Sequence, residues 1–190
     1  MKIINAYNKM KRDRLDNPNL STKEREKKNK ENAKLIMENF GIKSGKFAES
    51  LCRETIKTIF PKYTKGKKID NLPSTVVKQY FDADGYIPEL DMYIECKNYQ
   101  FYSSGTANEK LWGWFPKLQH YDKPCILVFS GEHELLSFDE CSSIMGIYKN
   151  KEEYKQHIYY DMIRKFVEEK KLYVTTISDL TKLLEELKND

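Results

Sequence analysis

The chain has 190 residues, 39% hydrophobic and 33% charged, with a formal net charge of +4, enough for one domain with its own core and too little for two large ones. No run approaches the roughly 20 apolar residues of a membrane span, and the N-terminus lacks the apolar core and small-residue cleavage site of a secretory signal, so no membrane association and no secretion are expected. Four dispersed cysteines without a CxxC pair, with three scattered histidines, read as reduced side chains of a cytoplasmic protein rather than disulfides or a structural zinc site.

The charge is unevenly placed. Residues 1–70 hold 19 lysines and arginines against 9 acids, and residues 71–190 hold 14 against 20. A lysine-rich helix alone is usually a solvated face. Beside an acidic half, it also suits a chain that grips phosphates with one part and binds cations with the other. Residues 1–20, broken at Asn17-Pro18-Asn19, read as an arm or a short helix followed by a turn. Ser21-Thr22-Lys23-Glu24 has the form of a capping box and opens a helix to about Phe40, which Gly41 stops. Residues 1–40 are thus expected to form a basic helical arm ahead of a domain spanning 41–190.

Ser44 can cap a second helix from Gly45 to Phe60, amphipathic through Phe47, Leu51, Ile56 and Ile59. A basic loop with Lys62, Lys65, Lys67 and Lys68 follows. Three strand-like stretches come next, over 74–81, 84–88 and 91–97. After an aromatic loop at 98–106, residues 107–121 form a candidate helix. The all-apolar run 124–129 reads as a buried central strand. An amphipathic helix over 151–170, a strand from Leu172 to Ile177, and a last helix capped by Ser178 complete the chain. The order predicts an α/β domain with a central mixed sheet flanked by helices.

The chemistry concentrates at Glu95-Cys96-Lys97, at the end of an apolar strand. Alternation puts Glu95 and Lys97 on one face, about 6–7 Å apart. A carboxylate and an ammonium are costly to bury there unless something uses them. With a second acid, the carboxylate makes an all-oxygen site for Mg²⁺; the lysine can orient or deprotonate water, or neutralise charge on a phosphate. Asp91 lies about 13 Å away along the strand, too far to share an ion. If 84–88 and 91–97 form a hairpin around Glu89-Leu90, Asp84 falls opposite Glu95, with Cβ atoms about 5 Å apart. Glu-Leu is a poor two-residue turn, and a slip of one residue would turn Asp84 away, so Asp82 and Asp91 stand in reserve.

Asp84, ten intervening residues, then Glu95-Cys96-Lys97 resembles the PD-(D/E)XK nuclease superfamily, which includes type II restriction endonucleases and archaeal junction resolvases. Ala83 stands where that family usually has proline. Glu49, in GKFAES, matches the acid that the family carries on a helix before the sheet, and SSGTANEKL resembles a segment of small viral and bacterial nucleases. The resemblance covers about residues 44–130. It implies a restriction-endonuclease-like fold in which Asp84 and Glu95 hold one or two Mg²⁺ ions (Mn²⁺ substituting), with the Cys96 carbonyl as a further ligand. Lys97 would help activate water, and Glu49 would bind the metal indirectly or orient a water. It also implies a homodimer, since cutting both strands of DNA usually takes two active sites.

Plainer readings stand beside these. Glu95 and Lys97 can be a strand-end ion pair, and Glu49 a helix-surface acid. Asn108 and Lys110 either open a helix capped by Thr106 or touch phosphate near the site. Tyr102, with Tyr99 and Phe101, either packs a loop or stacks on substrate. Trp112, Trp114 and Phe115 read as core or dimer interface, and His133 as a structural histidine. The function expected is a Mg²⁺-dependent DNA endonuclease, with restriction-like action as one form of it. Its rivals are a structure-specific recombination or repair nuclease and an inactive nucleic-acid-binding protein of nuclease fold.

Overall fold

Over the described residues of the computed structural model (2–68, 82–103, 114–135, 152–153, 155–156 and 158–190), the chain begins with three helices. In α1 (Ile3–Asp16), Ile3, Ala6, Tyr7 and Met10 recur at helical spacing and are all buried. The capping box opens α2 (Thr22–Phe40): the Glu24 N–H donates to Ser21 Oγ, and the Ser21 N–H donates to Glu24 Oε2 at 2.9 Å. Gly41 ends it at φ 65°, a left-handed conformation that a side chain would strain. A short 3₁₀ turn (Ser44–Lys46) leads into α3 (Phe47–Ile59), which buries Phe47, Leu51, Cys52 and Ile56.

The packing does not set α1 apart as an arm. Its apolar stripe, with Ile36 of α2, joins the core cluster that contains Leu51, Ile94, Ile126 and Leu184. Polar contacts hold the same helix: the Gly131 N–H donates to Tyr7 Oη at 2.7 Å, Arg14 Nε lies 2.7 Å from Glu132 Oε1, and Lys11 Nζ lies 2.6 Å from Glu134 Oε2. Four apolar residues in a mostly polar segment are enough to make the helix part of the domain. The exposed basic character expected of the region is kept by Lys9 and Arg12 of α1 and by Lys23, Lys27, Lys30 and Lys34 of α2.

The sheet has five strands among the described residues, β1 (Thr64–Lys68), β2 (Asp82–Ile87), β3 (Met92–Tyr99), β4 (Cys125–Gly131) and β5 (Leu172–Thr176), side by side in that order. β1, β2 and β3 pair antiparallel, while β3, β4 and β5 pair parallel. The mixed α/β sheet expected from the sequence is therefore present. The basic loop expected over 62–68 is instead the edge strand β1, whose lysines suit an edge that must resist pairing with other chains. The strand-like run 74–81 and most of the expected helix over 107–121 lie outside the described residues; of the latter, α4 (Phe115–Leu118) is seen.

β4 is buried along its whole length because both its faces are covered. Ile126 and Val128 point to the layer of α1, α2, α3 and α7 (Leu180–Asn189). Cys125, Leu127 and Phe129 point to the other layer, with Trp114, Leu118, and Tyr160 and Ile163 of α6 (Tyr160–Glu168). α6 is shorter than the helix expected over 151–170. A single turn, α5 (Glu132–Leu135), follows β4 directly. Ser178 does not cap α7: its N–H donates to Glu134 Oε1 at 3.1 Å and its hydroxyl accepts from Lys11 Nζ at 2.8 Å. Tertiary partners have taken the side chain that a local reading assigned to the cap. No helix among the described residues is long and apolar enough to cross a membrane.

Candidate functional site

The β2–β3 hairpin adopts the register read from the sequence, pairing Gly85 with Ile94, Tyr86 with Tyr93 and Ile87 with Met92. Its turn is wider than two residues. It runs over 88–91 with Asp91 at φ 52°, and the Leu90 N–H donates to the Ile87 carbonyl at 3.2 Å. Asp91 is thereby held at the turn, where the Tyr86 hydroxyl and Lys123 Nζ bind it. Asp82 is exposed at the start of β2. Neither reserve acid joins the residues described next.

At Asp84 the ladder changes character. Pairing beyond Gly85 and Ile94 gives way to a side-chain contact, in which the Cys96 N–H donates to Asp84 Oδ2 at 2.8 Å. The carboxylate thus sits at the seam between the strands, tied to the residue between Glu95 and Lys97. Gly85 makes room for this: a Cβ there would come 2.0 Å from the Tyr63 hydroxyl, so only glycine lets the Tyr63 ring lie against β2. Burial, then the negative charge of Glu95, pushes the Asp84 carboxyl up to about 6, against the opposing pull of the Cys96 N–H and Lys97. The charge of Glu95 is thus felt at Asp84 in a poorly solvated place.

Glu95 is 3% exposed and both its oxygens are engaged. Lys97 Nζ donates to Oε2 at 2.7 Å, and the Tyr121 hydroxyl donates to Oε1. Trp114 closes the group, its Nε1–H donating to Tyr121 Oη at 3.4 Å while the Lys97 ammonium lies 5.4 Å from its ring centroid. Burial pulls the Lys97 ammonium down, but the attraction and hydrogen bond of Glu95, with the field of Asp84, more than offset it and leave Lys97 above its ordinary range. Burial first, and Glu95 second, raise the Tyr121 hydroxyl far above the usual phenol range, so it stays a donor.

On the α3 side, Asp84 and Cys96 line a small cleft with Glu49, Lys46, Arg53 and Lys65. Glu49 is paired with Lys46 Nζ at 2.7 Å and adds to the negative field at Asp84. The Cys96 thiol is raised by its hydrogen bond with Cys52 and by burial, so it stays protonated. Glu49, Asp84 and Cys96 share this cleft, whereas Glu95 and Lys97 sit with Tyr121 and Trp114 and reach Asp84 through their charge. Tyr102 joins neither group and is buried against α1: its hydroxyl donates to Asp13 Oδ2 at 2.9 Å and its N–H to Glu132 Oε1 at 2.8 Å. Its stacking partner is Arg14, 5.6 Å from the ring centroid, and a substrate ring has no access to it. Asn108 and Lys110 lie outside the described residues. Among the described residues, no group of three histidine, cysteine, aspartate or glutamate side chains is clustered closely enough to hold a metal ion.

Sequence reasoning missed Tyr121, Lys46, Arg53 and Lys65 as members of this site. Lys46 stands three residues before Glu49 on a helix start, a spacing that puts both on one side and could have marked it. Tyr121 carries no such signal, since it reaches Glu95 across 26 residues through the fold alone. No protein-family model matches the chain, and neither the curated proteins nor the solved structures contain a significant match to it.

Proposed function

We propose that the chain is a Mg²⁺-dependent nuclease that hydrolyses phosphodiesters of DNA, with Asp84, Glu95 and Lys97 at the reacting centre. The observation that carries this reading is the Asp84 carboxyl, held at the β2–β3 seam by the Cys96 N–H and pushed up to about 6 beside Glu95. Two desolvated carboxylates that repel one another gain from a cation between them, and hard oxygen donors suit Mg²⁺. Each oxygen of Glu95 already accepts one hydrogen bond and has a further lone pair to offer.

Asp84 and Glu95 would hold the ion, which when bound would supply Lewis-acid charge to the phosphate oxygens. Lys97, kept protonated by Glu95, acts as a fixed positive charge that orients water or neutralises the phosphate, and not as a general base. Tyr121 and Trp114 hold Glu95 and Lys97 in place. Lys46, Arg53 and Lys65 face the backbone of the bound strand, where each phosphate contact adds salt-dependent affinity without sequence preference. Cleavage of both strands would then require two copies of the chain.

A second reading is an inactive nucleic-acid-binding protein that kept the fold, favoured by the absence, among the described residues, of a clustered triad of ligands. Incubation of plasmid with purified protein and Mg²⁺ or Mn²⁺, beside Asp84→Ala and Lys97→Ala, decides between them. Nicking or linearisation by the parent, with loss of about a hundredfold or more in each variant, is expected. Intact plasmid in both metals, with DNA still bound in EDTA, establishes the second reading. Comparing linear duplex with branched DNA separates a restriction-like enzyme from one that acts on recombination or repair intermediates.

A further inference from the structure

The cleft beside Asp84 is lined by polar groups that the fold leaves unused. Ser50 of α3, and Tyr63 between α3 and β1, both face it, and each is only 7% exposed. Neither hydroxyl makes a hydrogen bond to a described residue; Tyr63 is tied through its N–H, which donates to the Phe60 carbonyl at 3.1 Å. Asp84 uses Oδ2 for the Cys96 N–H, and no described residue donates to its Oδ1. Burying a hydroxyl without a partner is costly, and alanine and phenylalanine would pack these two positions without that cost. Residue 85 must even be glycine to admit the Tyr63 hydroxyl.

The cleft encloses about 30 Å³, room for one or two waters. Tyr63 and Asp84 make no direct hydrogen bond, yet the charge of the carboxylate is felt at the phenol, so a bridging group fits between them. Burial, above all, holds the phenol over its ordinary range, and its oxygen stays neutral. A water whose oxygen faces a cation has two hydrogens to give, and Ser50 Oγ and Tyr63 Oη are two neutral oxygens able to accept them. Mg²⁺ keeps several of its waters and needs only one or two carboxylates, which agrees with the lack of a clustered triad of ligands among the described residues. We propose that Ser50 and Tyr63 are positioning residues, whose hydroxyls hold a water beside Asp84 and, through it, a divalent cation. This rests on the metal-dependent reading above but is measured without catalysis.

The test is a titration of the full chain with Mn²⁺ in the absence of nucleic acid, for the parent, Ser50→Ala, Tyr63→Phe and Asp84→Asn. Each loss of a hydroxyl should weaken Mn²⁺ binding roughly tenfold or more, as removing a group that orients a metal's surroundings does, and Asp84→Asn should weaken it further. In EDTA, Ser50→Ala and Tyr63→Phe should melt no lower than the parent, because neither deletes a hydrogen bond of the fold. Unchanged Mn²⁺ affinity in either variant, or a melting temperature in EDTA that falls along with the affinity, overturns the proposal and makes these hydroxyls ordinary parts of the packing. The nuclease reading fails separately. Plasmid left intact while both variants still weaken Mn²⁺ binding removes hydrolysis and keeps the cation site, whereas plasmid cleavage with parental Mn²⁺ affinity in both variants does the reverse. A parent that binds no Mn²⁺ removes both.

Discussion

Tyr121 and Glu95 meet inside the second core layer, the phenol hydroxyl donating to Oε1 of a carboxylate that is almost wholly buried. Phenylalanine at 121 keeps the ring packing and deletes only the donor. A hydrogen bond to a charged group contributes about 1.5–3 kcal/mol, so Tyr121→Phe should destabilise the fold by about 2 kcal/mol in denaturant melts. In cleavage assays kcat should fall about tenfold with KM little changed, because the residue positions Glu95 and touches no substrate. A rise in KM at unchanged kcat would place Tyr121 against the substrate instead.

Lys97 is the counter-charge of Glu95, at 2.7 Å. Lys97→Met leaves a buried carboxylate unpaired and should cost about 3–5 kcal/mol. Adding Glu95→Gln removes the stranded charge. The double variant should therefore recover most of the lost stability, with a coupling of more than about 1 kcal/mol in a double-mutant cycle, and recover none of the cleavage. Strict additivity would show that the pair does not act as a unit.

Asp84 gives a pH dependence of definite sign. Its carboxyl is raised from 3.8 to about 6 by burial and by Glu95. A group that binds its proton more tightly folded than unfolded contributes stability that is fully present below about 3.8 and is lost as pH rises through about 6. In EDTA, the parent should therefore lose on the order of 2 kcal/mol relative to Asp84→Asn between pH 4 and pH 7.5. Mg²⁺ at pH 7.5 should restore part of that loss in the parent and none in the variant. Parallel stability curves for the two proteins would contradict the site geometry.

His133 acts in the opposite sense. It is 3% exposed between the edges of Tyr99 and Phe129, its Nδ1 has no hydrogen-bond partner among the described residues, and burial pushes it down from 6.5 to about 4. The folded chain keeps it neutral where the unfolded chain protonates it, so its contribution is present above about 6.5 and is lost as pH falls towards 4. Relative to His133→Phe, the parent should weaken by on the order of 3 kcal/mol between pH 7.5 and pH 4. The Asp84 and His133 effects oppose each other across this range, so comparing each variant with the parent resolves what one profile would average away.

The hairpin register agrees with the one read from the sequence because strand alternation sends Ile87 and Ile94 to the core, but that pattern could not show Asp84 leaving the ladder to bind the Cys96 N–H. β4 was legible for a similar reason, as a short apolar run with both faces covered. β1 was not: an edge strand of lysines around Gly66 has no buried alternation to display. α1 carried its stripe in plain view, but a mostly polar composition hid it. Ser178 and Tyr121 were beyond local reading, because Lys11, Glu134 and Glu95 reach them only after the chain has folded.

The contact between Tyr7 and Gly131 joins residues 124 positions apart, and that between Lys11 and Ser178 joins residues 167 apart. α1 therefore lacks these partners until β4 and the turn before α7 have been made. Its apolar stripe waits for partners more than a hundred residues further on, and closure of this part of the domain is a long-range event. Chains stalled before residue 131 should expose this helix to proteases that spare it in the finished protein.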